Sequence, residues 1–176
     1  MGRSPTERNM AVKNITLIGM PGSGKSTIGV LLAKRLGLDF VDTDILIQTQ
    51  QGAQLQDVLD SLGLEAFLDL EGDTLAALDC HNTVLAPGGS CVCRKHAMEQ
   101  LKRLGAVVYI KLPFEEIEAR ITNLDRRGIA FRPGETLRDI YEERSPLYEQ
   151  YADITVETYG LTLEQSAAMV EKILAS

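Results

Sequence analysis

The chain has 176 residues, 44% hydrophobic and 24% charged, with 18 Lys and Arg against 25 Asp and Glu and a net charge of -7. That length fits one domain with a core of its own, and the acidic balance argues against nonspecific nucleic-acid or anionic-membrane binding, which need a basic face. The cysteines Cys80, Cys91 and Cys93 are odd in number and make no disulfide framework, and no apolar run approaches the ~20 residues of a membrane span, so a cytoplasmic location is expected.

Residues 1–11 carry Ser, Pro, Thr and Arg without apolar periodicity and read as a disordered leader before a single domain over 12–176. A buried strand is predicted over 13–18, ending at Gly19. Ile28, Leu31, Leu32 and Leu36 recur at helical spacing over 26–36, and Gly37 stops that helix. A short strand over 39–41 leads into Asp42-Thr43-Asp44, followed by a helix to about residue 50. Helices are predicted over 54–61 and 64–78. The strand over 83–86 runs into Pro87-Gly88-Gly89-Ser90. Next come a helix over 95–104, a buried strand over 106–112 and a helix over 114–122. Residues 123–135 are polar, rich in Arg and Gly, and weakly patterned. A helix over 136–151, a strand over 153–156 and a helix over 162–174 complete the chain. Val30, Leu31, Val107, Val108 and Ile110 are assigned to the core; His81 and His96 are assigned to the surface, which leaves Cys91-x-Cys93 without a metal-site partner set.

Five strands alternating with helices imply an α/β architecture, a parallel sheet with helices on both faces. Ligands in such sheets sit at the C-terminal ends of the strands. Gly19 to Ser26, the pair Asp42 and Asp44, and Gly88-Gly89 all fall there.

Gly19-x-x-x-x-Gly24-Lys25-Ser26 follows a strand and opens a helix, the context a phosphate-binding loop requires. Backbone N–H groups of Gly22, Ser23, Gly24, Lys25, Ser26 and Thr27 would wrap a phosphate at a helix N-terminus that favours anions. Lys25 would reach the β- and γ-phosphates and Ser26 would offer its hydroxyl to Mg2+. ATP and Mg2+ are therefore the expected cofactors. No Asn-Lys-x-Asp stretch specifies guanine, and the chain is too short for a motor or transporter module. Asp42 and Asp44, two apart, would point the same way if the backbone stays extended. One would approach Mg2+ while the other orients or deprotonates an acceptor hydroxyl; the alternative is that Asp42 or Thr43 merely caps the next helix.

On Ile18-Gly19-Met20-Pro21-Gly22-Ser23-Gly24-Lys25-Ser26-Thr27-Ile28-Gly29, Asp42-Thr43-Asp44, Gly88-Gly89, Glu143-Arg144-Ser145-Pro146-Leu147-Tyr148 and Ala152-Asp153, in that order, the chain resembles the shikimate kinase family. The resemblance implies a three-layer P-loop kinase fold, strand order 2-3-1-4-5, with a mobile lid at about 123–135. It implies that Asp42 assists the metal through water and that Asp44 holds the acceptor hydroxyls and serves as base. Gly88 and Gly89 would lend backbone contacts to the acceptor, and Arg144 would pair with its carboxylate. Arg120 would lie against adenine, and a lid arginine, Arg127 by spacing or Arg132 by its following Pro133, would contact the transferring phosphates.

Three positions depart from the family pattern. Leu68 stands where the family has an acceptor-binding arginine, which suggests a more apolar pocket wall. Pro87 replaces a glycine and removes a backbone donor, and the lid is short. The function expected is ATP-dependent phosphorylation of a hydroxyl on a small anionic metabolite, with shikimate the best single name. The alternatives are a same-fold kinase of another hydroxy acid or a hydroxy amino acid such as homoserine, and a catalytically silent ATP-binding module. A monomer or weak homodimer is expected.

Overall fold

The computed structural model describes residues 14–123 and 128–176, excluding the side chains of residues 122 and 123. The expected leader and Arg127 lie outside the described residues. β1 (Asn14–Ile18) passes through the phosphate loop into α1 (Lys25–Leu36), and β2 (Asp39–Asp42) turns directly into α2 (Thr43–Gln51). The hairpin of α3 (Leu55–Leu62) and α4 (Leu64–Ala76) precedes β3 (Thr83–Ala86), and a single 3-10 turn (Cys91–Cys93) leads into α5 (Lys95–Leu104). The remainder is β4 (Gly105–Lys111), α6 (Phe114–Asn123), α7 (Leu137–Tyr151), β5 (Ile154–Glu157) and α8 (Leu163–Leu174).

All strand pairs are parallel and the order is β2-β3-β1-β4-β5, as expected. Period-two alternation divides the sheet's side chains between two layers. Leu17, Val84, Val108 and Ile110 pack against Ile28 and Leu32 of α1 and Ala167 and Val170 of α8. Ile18, Leu85, Val107 and Tyr109 face the other way, onto Leu75, Met98, Leu101, Ile117, Ile140 and Tyr148. A third cluster, Val58, Leu59, Phe67, Leu68 and Ala130, closes the α3–α4 hairpin.

Val30 corrects the core assignment: it is 49% exposed. On α1 the inward stripe is Ile28, Leu32 and Ala33, and Val30 lies on the turn between them, facing solvent. Among the described residues no group of His, Cys, Asp and Glu could hold a metal through such side chains alone, and no helix is long and apolar enough to cross a membrane.

Candidate active site

The phosphate loop obtains its shape from residues that tolerate a left-handed backbone. Gly24, the N-cap of α1, has φ 92, a conformation costly for any residue with a β-carbon. The loop closes with Ser23 N donating to the Met20 carbonyl at 3.1 Å. Lys25 is buried, and its Nζ donates to the carbonyls of Gly19 and Met20 at 2.9 Å each. Burial pulls its pKa below the ordinary lysine value, while Cys91, Asp44 and Asp42 oppose that shift. Ser26 Oγ donates to Asp42 Oδ2 at 2.8 Å.

The backbone does not stay extended from one aspartate to the other: Asp42 is extended at the end of β2, and the chain turns helical at Thr43. Asp42 is the N-cap of α2, and Asp44 already lies in its first turn. Asp42 Oδ1 accepts from the N–H groups of Asp44 (2.9 Å) and Ile45 (3.3 Å). Capping and metal positioning are thus compatible: one oxygen satisfies the helix terminus and the other meets Ser26. Those oxygen donors, on a hydroxyl and a carboxylate, suit a hard cation such as Mg2+.

Lys25, Ser26, Thr27, Gly22, Gly24, Asp44, Gly88, Gly89 and Arg144 all line one cavity of about 300 Å3. Asp44 Oδ1 is buried there without a hydrogen-bond partner. Burial, then the charge of Asp42, push the Asp44 carboxyl up to about 6, and Lys25 opposes them. Gly88 is required by close approach, because a β-carbon on it would stand 2.7 Å from Glu71 Oε2 and 2.8 Å from Asp44 Oδ1. Arg144 is buried, and its Nη2 donates to the Ala130 carbonyl at 3.1 Å. One turn later on the same face of α7, the buried Tyr148 hydroxyl donates to the Gly89 carbonyl and holds the glycine turn in place.

Glu71 is the residue that sequence reasoning missed. It is 2% exposed, lines the cavity, and accepts from Ser90 Oγ at 2.7 Å. Burial pushes its carboxyl up to about 7, Asp44 adds to that, and Ser90, Arg144 and Lys25 oppose it. Its signal was an acid standing in the apolar stripe Phe67, Leu68, Leu75 at helical spacing.

Other expected residues lie elsewhere. Leu68 is 3% exposed within the hairpin cluster, behind the cavity lining. The apolar wall is instead Leu55, Ile121, Ile129, Ala130 and Pro87. Ser23 is buried under the loop and is not part of the lining. Arg120 is half-buried over the loop's outer side, Nη1 donating to the carbonyls of Gly22 and Ser23 at 3.4 Å each. Leu163 Cδ2 approaches Gly24 from the α8 side, so Arg120 and Leu163 flank the loop. Arg132 does not reach the cavity: its Nη1 is tied to Glu135 (3.2 Å) and Glu143 (2.9 Å).

Residues 21–175 match the family model for shikimate kinase. A shikimate kinase of Vibrio cholerae is 38% identical over 166 residues, 92% of this chain and 95% of that protein. One from Thermodesulfovibrio yellowstonii is 34% identical over 164 residues, 92% and 94% of the two chains. Among solved structures, shikimate kinase from Acinetobacter baumannii in complex with shikimate superposes with a TM-score of 0.85 at 31% identity, covering 96% of each chain.

Proposed function

Because the chain belongs to the shikimate kinase family of ATP-dependent kinases, we propose that it transfers the γ-phosphoryl group of ATP to shikimate, giving shikimate 3-phosphate and ADP. The observation that carries this reading is the unpartnered, buried Asp44 Oδ1, aimed over Gly88 in the cavity shared by Lys25 and Arg144. A buried acceptor without a donor is costly, and a substrate hydroxyl supplies the donor.

Backbone N–H groups of the phosphate loop cradle the phosphates, and Lys25 leaves the Gly19 and Met20 carbonyls to offset charge on the β- and γ-oxygens. Ser26 would hold Mg2+ directly and Asp42 through water. Mg2+, when bound there, neutralises the phosphate oxygens. Asp44 orients the acceptor hydroxyl and takes its proton as the new O–P bond forms and the bond from the γ-phosphorus to the bridging oxygen of ADP breaks. A carboxyl at about 6 is ionised at neutral pH yet basic enough for that role. Arg144 receives the acceptor's carboxylate in a bidentate pair. Leu68 gives no reason to change the acceptor, since it lies behind the cavity lining.

Arg144→Leu tests the reading. The KM for shikimate should rise roughly tenfold to a hundredfold, the loss of a charged hydrogen bond, with the KM for ATP unchanged. Equal loss for both substrates would remove Arg144 from the acceptor site.

A further inference from the structure

The acceptor end of the cavity is walled by a chain segment whose anchoring is unlike that of a loose loop. Gly128, Ile129 and Ala130 line the cavity beside Leu55 of α3. Gly128 N donates to Gln56 Oε1 at 2.8 Å, and the other end of that amide, Gln56 Nε2, donates to Asp60 Oδ1 at 2.8 Å. Asp60 therefore fixes which way the Gln56 amide points and leaves its oxygen facing Gly128. Leu55 packs directly on Gly128. Two residues on, Ala130 is 3% exposed, seated in the cluster of Val58, Leu59, Phe67 and Leu68. Its carbonyl takes the Arg144 hydrogen bond at 3.1 Å. The segment is thus held from α3 by a directed amide, at Ala130 by the apolar cluster that includes Leu68, and from α7 by the arginine proposed to grip the acceptor.

We propose that Gln56 and Leu68 are positioning residues for acceptor specificity: together they seat residues 128–130 as the wall that sets the size of the acceptor site and aims Arg144. Neither lines the cavity, so neither touches substrate. Gln56 acts through the Gly128 amide and Leu68 through the apolar cluster that seats Ala130. An unseated Ala130 carbonyl would release the Arg144 guanidinium from its partner and widen the acceptor end, while the phosphate loop on the far side of Lys25 would be untouched. The proposal rests on the acceptor reading above only for the identity of the acceptor.

The test compares Gln56→Ala, Leu68→Ala and the double variant with the wild-type protein, using shikimate and Mg-ATP. Each single variant should raise the KM for shikimate about fivefold to tenfold, the effect of one lost hydrogen bond or packing contact, with the KM for ATP unchanged. The double variant should cost less than the product of the two, because both residues hold the same wall. Turnover of bulkier hydroxy acids relative to shikimate should increase. A kcat/KM loss shared equally by both substrates, or no change in the KM for shikimate, would overturn the proposal. Amide hydrogen exchange on the ligand-free protein provides a reading independent of the acceptor. The Gly128 amide should be protected in the wild-type protein and lose that protection at least tenfold in Gln56→Ala; unprotected exchange in the wild type would also overturn the wall. No wild-type turnover with shikimate, alongside a protected Gly128, would sink the acceptor assignment and leave the wall standing.

Discussion

Replacing Glu71 by Gln should make the protein more resistant to unfolding at high pH, although the residue lines the candidate active-site cavity. Glu71 is buried, and its carboxyl moves from 4.5 in the unfolded chain to about 7 in the fold. Between those values the folded protein holds a proton that the unfolded chain has released. The unfolded state then binds fewer protons, so stability falls as pH rises through this window and levels off above it. At 1.36 kcal/mol per pH unit, the interval corresponds to roughly 3 kcal/mol. Glu71→Gln keeps the shape and an acceptor oxygen for Ser90 and has no proton to lose. Urea unfolding of both proteins between pH 4.5 and 8.5 would measure the difference. The free energy of unfolding of the variant relative to wild type should grow by an amount on the order of 3 kcal/mol from the acid to the alkaline end. The charge of Asp44 adds to the Glu71 shift, so the difference includes their coupling as well as the burial of Glu71. A difference that stays constant across the range would refute the claim that Glu71 is charged at a cost in the folded site.

Lys25→Ala should abolish turnover in a coupled ADP-release assay; wild-type activity in that variant would remove the phosphate-loop assignment. Asp44→Asn should lose at least about a hundredfold in kcat, the range of a general base, while calorimetry finds ATP binding intact; an equal loss of ATP affinity would show that the residue serves the nucleotide. Wild-type kcat should also fall as pH drops through about 6, because protonated Asp44 can no longer accept the hydroxyl proton, and a flat profile from pH 7 to 5 would contradict that role. Gly88→Ala would drive a methyl into both Glu71 and Asp44, so the KM for the acceptor should rise more than tenfold with little change in the KM for ATP.

The phosphate loop was legible because its chemistry is local: eight consecutive positions carry the turn, the N–H groups, the lysine and the hydroxyl. The sheet was legible for a similar reason, since strand-sized apolar runs such as Val107 to Ile110 are bounded by loops and helices. The aspartate pair was visible as a pair, but its backbone was not. Asp42 ends a strand and caps a helix in one residue, and alternation along an extended chain does not carry across such a turn. Glu71 was hidden because its burial depends on a partner 19 residues away, Ser90, and because α4 also carries the exposed acids Glu65, Asp69 and Asp73. Leu68 was expected at the cavity wall and instead lies in the hairpin cluster, because neighbours contributed by α3 and Ala130 decide where it packs. Arg132 illustrates the same limit, since Glu143, 11 residues on, ties it to α7.

The most direct test of the central claim is ADP release from Mg-ATP with shikimate as acceptor, run beside homoserine and a panel of hydroxy acids, with the product's phosphate position read by phosphorus NMR. Rapid, shikimate-dependent turnover to the 3-phosphate is the expected result. Turnover with another acceptor and none with shikimate would contradict the assignment.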